Sequence, residues 1–272
     1  MSLIIFGQDT KHFNKAEDIS EMRTMYSRTT ANSDGTYTST TYSQPIHYKN
    51  KGAWHPIDLS IQSNNDENRD SYSLVNATNN FKTYFPSVIT DGLFCQFSEH
   101  EYIKDLLFGK MYFESNGVVI SSESMHSSNP VFSSNTANYN NVYEGVDLEI
   151  TINESRRKAD YIIQSSAFLN QVPASADFLV FEEIIELPKH WTPILRDNRV
   201  DFINAEGAIK AGYDVPLLKD HRQKNHLKEQ NIKFQDKQNT EDIFFELFPV
   251  GTNFKLLTKI SLDWIRSVSY TH

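Results

Sequence analysis

The chain has 272 residues, 26 Lys and Arg against 35 Asp and Glu, a formal charge of −9 and a single cysteine. That length suits one large or two modest domains, each able to bury a core. A lone cysteine excludes an intrachain disulfide framework. No run approaches the ~18 apolar residues of a membrane-spanning helix, and an acidic balance without a basic stripe argues against a nucleic-acid partner.

Aromatics make up 12% of the chain, with 18 Phe and 13 Tyr. Ser, Thr and Asn supply about a quarter of it, above ordinary usage. Such residues suit pleated, half-buried strands and the turns between them. The composition predicts an all-β chain, and sheets this rich in Ser, Thr and Asn point to a bacterial exterior.

Ser2 to Gln8 is a short apolar run ending at Gly7. It lacks the basic start of a secretory signal, so it reads as a signal remnant cleaved after Gly7 or as an apolar first strand. Lys11 to Met25 is polar, with Ile19, Met22 and Met25 near helical spacing; it reads as a short helix or a disordered lead-in. Asn32-Ser33-Asp34-Gly35 then predicts a hairpin, because Asp-Gly accepts positive φ cheaply. Tyr37–Ser43, Pro45–Lys49 and Ala53–Leu59 follow as strands.

Tyr72–Val75, Phe81–Pro86 and Leu93–Phe97 read as further strands. Tyr102–Phe113 is undecided, since Leu106-Leu107-Phe108 breaks any period. Gly117–Ile120 reads as a strand and Ser121–Asn138 as a long surface loop. Val146, Leu148, Ile150 and Ile152 then alternate with Asp147, Glu149 and Thr151, which predicts a strand with one buried face. Asn153–Arg157 turns the chain into a return strand at Lys158–Ile163. Phe178–Glu186, Val200–Asn204, Ala208–Tyr213, Ile232–Phe234, Ile243–Leu247 and Phe254–Ile260 complete the set, with Lys219–Gln230 as a solvated loop. Short strands with turn signals every ~8–12 residues favour a β-sandwich-like fold. Two packed or tandem β units are expected, residues 26–140 and 141–266, after a lead-in at 1–25 and before a tail at 267–272.

Several motifs carry a resemblance. They are Arg28-Thr29, Asp34-Gly35-Thr36-Tyr37, Ser43-Gln44-Pro45-Ile46-His47-Tyr48, Gly52-Ala53-Trp54-His55-Pro56-Ile57-Asp58, Tyr143-Glu144-Gly145-Val146-Asp147-Leu148 and Ser261-Leu262-Asp263-Trp264-Ile265. In this order they resemble the N-terminal β-rich region of large bacterial secreted or surface proteins that carry Rhs/YD repeats or DNRLRE modules. The hairpin from Tyr143 to Ile163 is also similar to one in some type IX-secreted proteins. Ser121–Asn138 and Lys219–Gln230 match nothing in that pattern. The resemblance implies an extracellular or cell-surface location, a longer parent protein and no catalytic activity. Its structural motif positions are Trp54, Pro56, Asp58, Tyr143, Gly145, Val146, Asp147, Leu148 and Trp264. Val268–His272 resembles the start of a translated adapter sequence, so the natural sequence is expected to end near Arg266.

Residues that could carry chemistry are scattered. His100, His126, His190, His221 and His226 lack metal-ligand spacing. Glu182 and Glu186 share one strand face, and with Glu183 they read as solvated. Cys95 lies near Phe94 and Phe97 and reads as a small buried hydrophobe. Asp147, Glu149 and Asp160 offer oxygens without a calcium loop. Trp54, Trp191 and Trp264, with Tyr48 and Tyr143, read as core anchors, with a sugar-stacking platform as the other option. The expected function is a non-enzymatic structural or presentation region, adhesive in one version, at the start of a larger secreted or cell-surface protein. Its partners would be downstream domains, a glycan or another surface protein, and no catalytic residue, cofactor or metal is assigned. The alternative is a carbohydrate-binding module attached to a missing catalytic domain.

Overall fold

The computed structural model describes residues 2–6, 17–218 and 242–269. The chain is all-β and sandwich-like, and every strand pairing among the described residues is antiparallel. Strands β1 (Ser2–Phe6), β2 (Glu17–Asp18), β3 (Ser27–Ala31) and β4 (Thr36–Thr41) form a small sheet in the order β1-β4-β3-β2. The expected hairpin at Asp34-Gly35 joins β3 to β4. Asp34 accepts from the Thr36 backbone N–H at 3.0 Å and from its hydroxyl at 2.6 Å. Strands β5 (His47–Asn50) and β6 (Ala53–Pro56) form a separate two-stranded ribbon.

The centre is a nine-stranded sheet. It comprises β7 (Gln62–Ser63), β8 (Tyr72–Asn76), β9 (Lys82–Pro86), β10 (Leu93–Gln96), β11 (Tyr102–Ser115) and β12 (Val118–Ser124). After β13 (Pro130–Ser133), β14 (Thr136–Tyr143), β15 (Val146–Ile152) and β16 (Arg157–Ile163) come β17 (Phe178–Glu186), β18 (Thr192–Arg196), β19 (Arg199–Ile203), β20 (Ile209–Tyr213), β21 (Ile243–Val250) and β22 (Asn253–Ser261). The central order is β21-β22-β17-β11-β10-β9-β8-β7, with β12 also on β11. Strands β13–β16 make a four-stranded sheet in sequence order and β18–β20 a three-stranded one. Helix α1 (Leu262–Ser269) follows β22 directly.

Both smaller sheets pack on one face of the central sheet. Alternation places Leu179, Phe181, Glu183 and Ile185 of β17 on a common face. At one end Leu179 and Phe181 share a core with Tyr139, Val146, Leu148 and Ile150 of the four-stranded sheet. At the other end Ile185 shares a second core with Val200 and Phe202 of the three-stranded sheet. The opposite face of the central sheet carries Lys259. Its ammonium donates to Glu114 at 2.5 Å and Glu246 at 3.4 Å, and it lies 5.1 Å from the Phe178 ring.

The alternation read for β15 is observed: Val146, Leu148, Ile150 and Ile152 are buried while Asp147, Glu149 and Thr151 are partly exposed. Tyr143 pairs with Val146, so Glu144 and Gly145 form the connection, and Gly145 sits at φ +73°, where a side chain would be strained. Leu148→Ala is expected to cost about 2–5 kcal/mol, because its neighbours cannot all collapse into the space left behind. A lower urea midpoint at unchanged slope is the measurement that checks it.

One expectation changes and one open stretch is settled. Ser121–Asn138 is not one long loop: β12 runs on to Ser124, and β13 and the start of β14 fill half of the remainder. The Ser121–Ser124 part of β12 is polar and largely exposed, so no apolar period marked it. Tyr102–Phe113 lies in a single strand, and its broken period reflects two places where β11 gains a residue against β17. Finally, residue 140 falls inside β14, and the central sheet takes strands from both sides of it. Pairing of β11 with β17 joins segments that no local pattern links.

Of the Lys11–Met25 stretch, the described part holds β2 and one 3₁₀ turn at Ser20–Met22. The cleavage point after Gly7, the loop Lys219–Gln230, the strand Ile232–Phe234 and residues 270–272 lie outside the described residues.

Candidate functional site

The two smaller sheets leave a cavity of about 1010 Å³ between them. Its walls are β16 and β20, each the outermost strand of its sheet, and its floor is the central sheet. Four polar side chains meet there: Asp105 from β11, Glu183 from β17, Arg157 from β16 and Tyr213 from β20. Thus all three sheets contribute to one point.

The local backbone explains the floor. Register shifts between Lys104 and Leu107, and again between Leu107 and Lys110, mark one extra residue in β11 at each place. Bulges leave a residue unpaired and re-aim its neighbours. Here Leu106 and Phe108 adopt φ of +56° and +52°, a conformation that side-chain-bearing residues hold only where packing compels it. The Leu106 N–H, unpaired with β17, donates instead to Glu183 Oε2 at 2.8 Å. Asp105 just before the bulge is 2% exposed.

Arg157 opens β16 after a turn closed by the Asn153 N–H donating to Arg156 O at 2.8 Å. Asn79 Nδ2 donates to Asn153 O at 3.0 Å and ties that turn to the β8–β9 connection. The guanidinium Nη2 of Arg157 donates to Asp105 Oδ2. Tyr213 ends β20; its ring meets Phe202 edge-on at 5.7 Å, and its hydroxyl donates to the same Oδ2 at 2.9 Å. Among the described residues Asp105 Oδ1 and Arg157 Nη1 are buried without hydrogen-bond partners. Beside them Tyr161 stacks on Phe181, centroids 3.9 Å apart and planes 2° from parallel.

Burial sets the protonation states. It opposes the charge on Arg157, but the Asp105 carboxylate more than compensates and the guanidinium stays charged. Burial pushes Glu183 up to about 8; the Asp105 charge adds to this, and the Leu106 N–H and Arg157 only partly offset it. Burial also raises the Tyr161 and Tyr213 hydroxyls well above their usual range. At neutral pH Arg157 is therefore charged and Glu183 holds its proton.

Cys95 lines the same cavity. Burial pushes its thiol up to about 11, far from the range of reactive cysteines. Alkylation at pH 8 is expected to run roughly 100-fold slower in the native chain than in urea, following the thiolate fraction. A native rate equal to the denatured one would contradict this.

The structure overturns one sequence expectation directly. Glu183 does not share the solvated face of Glu182 and Glu186; it points into the cavity. The signal was present: Glu183 occupies an apolar phase in Leu179-x-Phe181-x-Glu183-x-Ile185. Asp105, Arg157 and Tyr213 were not singled out from the sequence.

The motif residues separate into two groups. Tyr143, Val146 and Leu148 are fully buried, and Trp264 on α1 packs against the same core. Trp54, Pro56 and Asp58 lie elsewhere. The Trp54 ring meets the Lys49 ammonium at 5.6 Å, Pro56 pairs with His47, and Asp58 accepts from the Ser60 N–H at 2.9 Å. Trp191 belongs to the other core cluster, so the three tryptophans sit in three different places.

Asp147 accepts from the Asn141 N–H and from Gln164 Nε2, both at 2.6 Å, and Glu149 stands opposite Asp160 in the register. His126 lies 2.7 Å from Glu123 and His190 lies 3.7 Å from Glu101. Among the described residues no group of three His, Cys, Asp or Glu is placed to hold a metal ion; His221 and His226 lie outside them. No helix among the described residues is long and apolar enough to cross a membrane. No family model, curated protein or solved structure matches this chain.

Proposed function

We propose that this chain is a non-catalytic β scaffold of an extracellular or cell-surface protein, holding a fixed shape and carrying further parts of the same polypeptide. The observation that supports it is the junction of buried Asp105 and Glu183 with part-buried Arg157 and Tyr213, which ties three sheets together at one point. A scaffold needs its sheets to move as one body, and a charged pair out of water penalises any separation that leaves either charge unpaired. The ordered motifs from Arg28 to Ile265 and the Ser/Thr/Asn-rich composition support the location.

Two measurements test the reading. An antibody raised against this chain should label intact cells of the source organism or their culture medium; labelling only after lysis would overturn the location. Urea unfolding followed by tryptophan fluorescence and by far-UV circular dichroism should give coincident transitions. Two separated transitions would contradict a single locked scaffold.

A further inference from the structure

We propose that the cavity between β16 and β20 binds a neutral small molecule with an apolar or aromatic body and one hydroxyl or carboxamide group. The volume, about 1010 Å³, suits a drug-sized ligand. Most of its lining is apolar, and Phe81, Phe97, Phe181, Phe202, Phe245 and Trp264 all contribute.

The polar requirement comes from the floor. Among the described residues Asp105 Oδ1 has no donor and Arg157 Nη1 has no acceptor, although the two residues share an ion pair. Leaving such buried groups unmatched is unfavourable. A hydroxyl or a carboxamide both donates and accepts, so one such group answers both atoms. A carboxylate serves only the guanidinium, and an ammonium serves only the carboxylate.

Among the described residues charge balance points the same way. Asp105 already matches Arg157. Along the walls Lys158 pairs with Asp160, Arg199 with Asp201 at 2.8 Å, and Lys210 with Glu101 at 3.5 Å. Arg156 and Asp214 add one charge of each sign. An ionic ligand would bring an uncompensated charge into an apolar space, which is strongly unfavourable.

The proposal stands independently of the scaffold reading. Its test is a ligand-observed NMR titration of the full chain at pH 7 with benzamide, benzyl alcohol, benzoate and benzylamine. Saturable binding is expected for the two neutral probes, at least tenfold tighter than for the two ions. Ala211→Leu, growing into the cavity from β20, should weaken the neutral probes by at least tenfold. Ile209→Trp, a change at an exposed lining residue that leaves the core untouched, should weaken them in the same direction and keeps the test valid if Ala211→Leu fails to fold. Absence of saturable binding by both neutral probes, equal binding of neutral and charged probes, or unchanged binding in Ile209→Trp would each overturn the proposal.

Discussion

Replacing Arg157 with Met is expected to destabilise the chain by about 3–5 kcal/mol, the usual consequence of leaving a buried charge without its partner. Asp105 is 2% exposed and would keep, among the described residues, only the Tyr213 hydroxyl, a neutral donor, at 2.9 Å. Packing alone does not account for a loss of that size, since Met fills much of the volume of the arginine stem. The double variant Asp105→Leu/Arg157→Met makes the distinction. Removing both charges together should restore at least half of the lost stability, because apolar replacement of a whole buried pair is often neutral or better. Urea midpoints for the wild type, both single variants and the double variant form the cycle that measures this. If the double variant is as unstable as the sum of the singles, the pair contributes through shape and not through charge.

Glu183→Gln is expected to change how stability depends on pH. The native side chain keeps its proton up to about pH 8, from an ordinary value of 4.5. Between those values the unfolded chain releases this proton and the folded chain holds it. The unfolded state then binds fewer protons, so stability falls as pH rises through that window. The loss is complete once pH passes about 8. Glutamine keeps an acceptor for the Leu106 N–H and cannot ionise. The variant should therefore match the wild type near pH 5 and exceed it at pH 8, with higher urea midpoints at the higher pH. A wild-type-minus-variant difference that stays flat from pH 5 to pH 8 would show that Glu183 ionises normally in the folded chain.

These two variants address residues that the sequence revealed very unequally. The hairpin from Tyr143 to Ile163 was legible because a strand exposes and buries alternate side chains. Four branched residues in phase, Val146 to Ile152, state that period without help from the rest of the chain. Glu183 was half legible, as a carboxylate in an apolar phase. Asp105 was masked by the two bulges that follow it, since each extra residue resets the alternation. Arg157 sits at the end of a turn, where a charged residue is ordinary.

The amino-acid sequence by itself determined the β character, most strand positions and the buried face of β15. These follow from side-chain type and local spacing, which act within a few residues. Only the tertiary structure decided that one sheet runs through both halves of the chain and that two smaller sheets share one of its faces. Only it brought residues 105, 157, 183 and 213 to one point. Strand pairing is set by the joint burial of distant segments, so the partners of Asp105 are fixed by packing across 52 and 108 residues, a separation over which no local period carries information.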